Sequence, residues 1–90
     1  MKKLLFFLLF VFLSGNRSLP AQIKTAIQQK VARGDSLRKS GNFKKAKKNY
    51  ENILKLDKNC LPAYTGLGKI FIARNNWKKA AKFFNKITTI

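Results

Sequence analysis

The segment GNFKKAKKNYENILKLD, residues 41–57, has a regular spacing of apolar residues and lysines that also explains the rest of the chain. Its apolar residues Phe43, Ala46, Tyr50 and Ile53 follow one another at intervals of three and four, and lysines fill most of the positions between them. Because a helix turns once in about 3.6 residues, this spacing places the apolar residues on one stripe and the lysines on the other face. The segment therefore predicts an amphipathic helix over residues 42–56.

The same pattern returns 34 residues further along the chain. A self-similar period of this length is typical of solenoid proteins, in which each repeat is one small supersecondary unit. The sequence thus predicts a scaffold built from repeats. The matching positions, each occupied by the same residue or by another aromatic residue, are Gly34 and Gly68, Phe43 and Trp77, Ala46 and Ala80, Tyr50 and Phe84, and Ile53 and Ile87.

Turn signals divide the repeats into helices. Gly41-Asn42 joins a residue that ends helices to one that caps them, and Asn75-Asn76 repeats the signal. Pro62 suits the first turn of a helix over residues 62–74, and apolar spacing indicates an earlier helix over about 22–40. The sequence predicts an all-α fold of four helices, arranged as two antiparallel hairpins stacked side by side.

Glycines within the third predicted helix bear on how closely the helices pack. Gly66 and Gly68 carry no side chain, so a neighbouring helix is able to approach closely at either position. The accompanying cost is a lower intrinsic helix propensity.

The composition argues against an enzyme. The chain has no His, one Cys and three carboxylates, Asp35, Glu51 and Asp57. General acid–base pairs, metal clusters and catalytic triads need several such groups in one place. We therefore expect no catalytic residue, no metal and no cofactor. The formal charge of +17 indicates an acidic partner or a very soluble surface.

Residues 1–21 are predicted to be a secretory signal peptide. Two lysines precede ten apolar residues from Leu4 to Leu13, and a polar segment ends in Ala21. A membrane anchor is the alternative, but a span needs about 20 apolar residues. Cleavage after Ala21 leaves a domain of residues 22–90 with no stable membrane span, and the loss of Lys2, Lys3 and Arg17 lowers the formal charge from +17 to +14. We expect a bacterial Sec-type substrate in the periplasm or outside the cell.

Cys60 is the single cysteine of this chain, so it has no intramolecular disulfide partner. It is expected to be either a half-buried loop thiol or one half of an intermolecular disulfide.

Residues from about Val31 to Ile87 resemble the tetratricopeptide repeat family. The resemblance rests on Gly41–Ala46, on Tyr50, Ile53 and Leu54, on Leu56-Asp57, and on Ala63-Tyr64, Leu67-Gly68, Phe71, Trp77 and Ala80. It implies one repeat over about residues 27–60 and a second over about 61–90, the latter without a capping helix. It also implies an adaptor that binds a protein or peptide in the concave groove lined by the first helix of each hairpin. By correspondence with the family, the groove-facing residues are Gln28, Val31, Asp35, Arg38, Thr65, Lys69 and Ile72.

Basic residues on the second helix of each hairpin suggest a different function, the binding of polyanions or anionic surfaces. Exposed aromatic residues would support nucleic-acid binding, but Phe43, Tyr50, Trp77 and Phe84 are predicted to be buried, and Phe83 alone is predicted to face outward. Export also separates the chain from cytoplasmic nucleic acid, so no specific nucleic-acid recognition is expected. The basic residues concerned are Lys44, Lys45, Lys47, Lys48, Lys78, Lys79, Lys82 and Lys86.

The last predicted helix has an apolar stripe with no following helix to cover it. About three stacked repeats are normally needed for stability, and this sequence has two. We expect a truncated copy, the first part of a longer repeat protein, or a protomer whose uncapped C-terminal hairpin stacks on itself or on a partner.

Overall fold

A computed structural model describes residues 22–90, and the predicted leader at residues 1–21 lies outside the described residues. The described part of the chain holds four helices and no strand, which confirms the all-α repeat fold. We number the helices α1, residues 22–39; α2, Phe43–Leu56; α3, Leu61–Ala73; and α4, Trp77–Thr89.

The turns inside the two hairpins have the same backbone geometry. Gly41, with φ 86°, and Asn75, with φ 59°, both adopt the left-handed conformation. Asn42 N donates a hydrogen bond to Leu37 O at 2.8 Å, and Asn76 N donates one to Phe71 O at 2.8 Å. A left-handed residue followed by such a bond ends a helix and reverses the chain. Each pair of equivalent atoms lies 34 residues apart, so the sequence repeat is also a repeat of the turn.

Side-chain capping differs between the two turns. The Asn76 side chain accepts a hydrogen bond from Lys79 N at 3.3 Å. The Asn42 side chain makes no such bond, so its predicted capping role is wrong. Because the backbone reverses in the same way at both places, the left-handed residue specifies the turn and the side-chain cap is secondary.

The core lies where α1, α2 and α3 meet around the ring of Tyr50. Tyr50 and Ile53 from α2 are fully buried, as are Ala63 and Ile70 from α3. A Cβ atom added at Gly34 of α1 would lie 2.7 Å from Tyr50 Cε1. One added at Gly66 of α3 would overlap the same ring, which confirms the close approach that this glycine was predicted to allow. Tyr50 therefore sets the spacing of three helices.

In the second hairpin, Phe84 occupies the position equivalent to Tyr50. A Cβ atom added at Gly68 would lie 2.6 Å from Phe84 Cζ, so α3 and α4 also approach closely at a glycine. Phe84 is only half-buried, because among the described residues no further helix covers its other side.

Candidate functional site

A polar depression lies between α1 and α3 and has a volume of about 250 Å³. Asp35 and Arg38 line it from α1, and Thr65 and Lys69 line it from α3. These four residues belong to the groove set that the family resemblance implied, two from each repeat, and in the structure they line one depression. Leu61, Pro62 and Gly66 complete the lining.

Tyr50 fixes the charged side chains at the base of this depression. Its hydroxyl donates a hydrogen bond to Asp35 Oδ1 at 2.5 Å and accepts one from Arg38 Nε at 3.4 Å. Arg38 Nη2 also lies 3.9 Å from Asp35 Oδ1. Burial and the hydrogen bond to Asp35 raise the pKa of Tyr50 to about 12, so the phenol remains a protonated donor at physiological pH. The core residue that spaces the helices thus also orients Asp35 and Arg38.

The electrostatic balance of the depression is positive. Asp35 is its only acidic residue among the lining side chains, and it is already paired with the Tyr50 hydroxyl and with Arg38. Lys69 is exposed and makes no ion pair within residues 22–90. Its ammonium group is therefore free to pair with a carboxylate of a ligand.

An apolar depression of about 610 Å³ lies next to the polar one. Three of its large apolar side chains are exposed: Ile23 to 54%, Leu56 to 59% and Leu61 to 42%. Leu61 and Pro62 line both depressions, which therefore lie side by side, and we call the two together the groove. The remaining residues of the apolar part are Lys24, Ile27, Gln28, Val31, Asp57, Asn59 and Cys60.

The predicted groove residues therefore lie in three places: the apolar depression, the polar depression and, for one residue, outside both. Gln28 and Val31 lie in the apolar depression, apart from the four residues in the polar one. Ile72 lines neither depression and is 39% exposed near the end of α3. The sequence prediction missed Ile23, Ile27 and Leu61, although the first two follow a helical spacing with Val31 that signals an apolar face.

The basic residues predicted as a polyanion surface do not all share one environment. Lys47 is half-buried, and its Nζ lies 5.8 Å from the centre of the Phe71 ring. Lys79 Nζ lies 5.4 Å from the same ring, so both ammonium groups contact an aromatic face. Lys79 is nevertheless exposed, as are the other six lysines of the set, namely Lys44, Lys45, Lys48, Lys78, Lys82 and Lys86.

Two predictions about aromatic exposure are wrong. Phe83 does not face outward: it is half-buried and stacks on Phe71, with 5.5 Å between ring centroids. Trp77 is not buried but 63% exposed. The equivalent Phe43 is half-buried, with the Arg74 guanidinium 5.8 Å from the centre of its ring.

Cys60 lies at the start of α3 and is buried. Burial raises the pKa of its thiol, which lowers the fraction of reactive thiolate. Within residues 22–90, no group of three or more His, Cys, Asp or Glu residues is placed to hold a metal ion. None of the described helices has the length and apolar character required to cross a membrane.

Two helical hairpins with the same turn at equivalent positions define an α-helical repeat protein. A family model described as tetratricopeptide repeat matches residues 37–89. That match covers more than half of the chain, and the chain belongs to the tetratricopeptide repeat family. No curated protein and no solved structure matches the chain significantly. Membership indicates a module for protein–protein interaction, in a family whose members are typically scaffolds without enzymatic activity.

Proposed function

We propose that this protein is an exported adaptor whose groove binds a peptide segment with apolar residues next to acidic ones. The observation that supports it is that the apolar and the positively charged depressions lie side by side and share Leu61 and Pro62 as lining residues. One extended segment is able to fill both.

The acidic part of the ligand pairs with Arg38 and Lys69. A guanidinium and an ammonium group facing the same depression form charge-assisted hydrogen bonds with carboxylates. Tyr50 and Arg38 already partner the Asp35 carboxylate, which reduces its repulsion of an incoming acid. The formal charge of +14 that remains after removal of residues 1–21, lower than the +17 of the whole chain, favours encounter with an acidic partner from a distance.

The apolar part of the ligand occupies the larger depression. A volume of about 610 Å³ accommodates more than one large aliphatic side chain. Ile23, Leu56 and Leu61 are exposed around it, and covering them with ligand removes apolar surface from water. Apolar anchors in a pocket usually supply most of the affinity of such a contact, and the charges supply specificity.

Reversal of the groove charges tests this proposal. The probe is a fluorescein-labelled peptide with two leucines followed by two glutamates in a Gly/Ser sequence, and its binding is measured by fluorescence anisotropy. We expect the double variant Arg38→Glu, Lys69→Glu to weaken binding by about tenfold or more, because two charge-assisted contacts become repulsive.

The matched control is Lys44→Glu, Lys48→Glu, which changes the net charge equally on exposed positions of α2. It should alter affinity by less than about threefold, since exposed charges away from the ligand are screened by salt. Equal losses in the two double variants would contradict the groove and favour the alternative function, diffuse binding of polyanions by the lysine surface.

We propose export because of the leader pattern at residues 1–21. Secreted material should begin at or near Gln22, as measured by N-terminal sequencing after expression in a bacterium. Full-length chain in the cytoplasm or the membrane fraction would contradict export and leave the binding experiment unaffected.

A further inference from the structure

The second helix of each hairpin carries a row of lysines on its outer side. Lys44 and Lys48 on α2 are four residues apart, and Lys78, Lys82 and Lys86 follow the same spacing on α4. Residues four apart in sequence lie on one face of a helix, one turn from each other. All five lysines are exposed, and we call them together the basic face.

Packing places the lysines of α2 and α4 side by side. Lys47 Nζ of α2 and Lys79 Nζ of α4 lie 5.8 Å and 5.4 Å from the centre of the same Phe71 ring, so the two helices flank that ring. Because α2 and α4 are equivalent helices of the repeat, their outer sides point in the same direction. The basic face is therefore one surface that extends over both hairpins.

The basic face does not depend on what packs against the apolar stripe of α4. Lys44 and Lys48 remain exposed although α3 covers the apolar stripe of α2. Lys78 and Lys82 occupy the equivalent positions of α4, 34 residues later. An element that packed on α4 as α3 packs on α2 would therefore leave these lysines exposed.

The charges of the basic face are not neutralised within residues 22–90. None of its lysines pairs with Glu51, the single acidic residue of the two helices, and the ion pair in this part of the chain joins Asp35 to Arg38. Neither α2 nor α4 has an acidic residue in its first turn, so Lys44 and Lys78 stand at the positive end of a helix dipole. Like charges four residues apart also destabilise a helix. This arrangement is unfavourable in the isolated protein, and an anionic surface would relieve the repulsion.

We propose that the basic face binds the anionic lipid headgroups of a membrane, with α2 and α4 lying on the bilayer surface. Clusters of about four to eight lysines or arginines on one side of a helix are typical of binding to anionic lipids. A protein partner fits this face less well, because the cores of protein interfaces are depleted in lysine. A chain exported as proposed also stays beside the membrane that it has crossed.

Nucleic acid is a poorer occupant of the basic face, because proteins that bind single strands stack bases on exposed aromatic residues. Phe71, between the two helices, is buried, and Phe83 is half-buried. Trp77 is exposed, but it lies seven residues before Phe84 and thus on the same side of α4, away from the lysines.

Membrane binding through the basic face leaves the groove free. None of its five lysines lines either depression between α1 and α3. The protein would then be an adaptor that is held at a membrane by its second helices and holds its ligand between its first helices. The inference does not depend on which ligand the groove binds.

Co-sedimentation with lipid vesicles tests this proposal. One set of vesicles contains about one third phosphatidylglycerol in phosphatidylcholine, and the other contains phosphatidylcholine alone. All proteins compared are full chains with Leu8→Asp and Leu9→Asp, which interrupt the apolar run of the leader so that it does not hold the chain on the bilayer. We expect saturable binding to the anionic vesicles that weakens as salt is raised, and little binding to the neutral ones.

Two quadruple variants locate the binding surface. The first neutralises four lysines of the basic face and should weaken binding to anionic vesicles by about tenfold or more. The second neutralises four exposed cations of α1 and should weaken it by less than about threefold, because charges away from the bilayer are screened. Glutamine has nearly the helix propensity of lysine, so both variants should stay folded, as measured by circular dichroism. The first is Lys44→Gln, Lys48→Gln, Lys78→Gln, Lys82→Gln, and the second is Lys24→Gln, Lys30→Gln, Arg33→Gln, Lys39→Gln.

Three results would overturn the proposal. Equal losses in the two quadruple variants would mean that net charge, and not the basic face, explains the binding. Equal binding to neutral and anionic vesicles would mean that headgroup charge is not recognised. Tighter binding to inorganic polyphosphate than to vesicles with the same total anionic phosphate would favour a polyanionic chain as the occupant of the basic face.

Discussion

Tyr50→Ala is expected to unfold most of the protein at room temperature. Tyr50 is fully buried and contacts α1 and α3 at Gly34 and Gly66, so its removal leaves a cavity among three helices. Large aromatic-to-alanine changes in a core cost about 3–5 kcal/mol. A domain of this size has about 3–5 kcal/mol of stability in total. Urea unfolding followed by far-ultraviolet circular dichroism measures the loss.

Phe84→Ala is the matched control, because Phe84 occupies the same position of the second repeat and loses the same kind of side chain. Phe84 is half-buried, so less apolar surface returns to water and the remaining cavity is open to solvent. We expect less than about half of the free-energy loss of Tyr50→Ala. Equal losses of unfolding free energy would mean that Phe84 is as fully covered in solution as Tyr50. That result would contradict the half-buried position of Phe84 in the structure.

The secondary structure could be predicted from the sequence because the signals for helices and turns are local. The three-and-four spacing around Tyr50 predicted α2 over residues 42–56, and the structure has it at Phe43–Leu56. Gly41 marked the turn because glycine adopts the left-handed conformation without strain, and it does so here at φ 86°. The role predicted for Asn42 failed, since residue type alone does not show whether a side chain reaches the helix.

The burial of individual side chains was harder to predict from the sequence, because it depends on neighbouring helices. Trp77 and Phe43 occupy equivalent positions, yet only Phe43 has the Arg74 side chain over its ring. Phe83 lies beside the predicted stripe, and the apolar side of a surface helix is often about 100° wide or more, which is enough to include it. The periodicity showed where the apolar stripe of each helix lies. It did not show how wide the stripe is or how much of its length a neighbouring helix covers.

The groove was predicted only in part, because its lining also depends on how neighbouring helices pack. Asp35 and Lys69 were assigned to one surface by correspondence with the family, and the structure places them in one depression. Whether they bind a ligand there remains a prediction. That Leu61 would line both the polar and the apolar depression was not predictable, because it follows from how α3 begins beside α1.

Gly66→Leu is expected to destabilise the protein by up to about 2 kcal/mol, although it replaces a poor helix former by a good one. The gain in helix propensity is about 1 kcal/mol, and overpacking costs about 1–3 kcal/mol, occasionally more. Overpacking outweighs the propensity gain here because the added side chain meets the Tyr50 ring, which is fully buried and held by hydrogen bonds to Asp35 and Arg38. Urea unfolding of the variant measures the net change.

A double-mutant cycle separates the overlap from other causes. In a Tyr50→Leu background the residue facing position 66 is smaller and more flexible, so Gly66→Leu should cost less there than in the natural chain. An unchanged cost would show that the ring is not what the added side chain meets. We expect the overlap with the Tyr50 ring to displace α3, which moves Lys69 relative to Arg38 on α1. Gly66→Leu should therefore also weaken peptide binding in the groove while the protein remains folded. Unaltered binding by a folded variant would mean that the Tyr50 contact does not set the geometry of the groove.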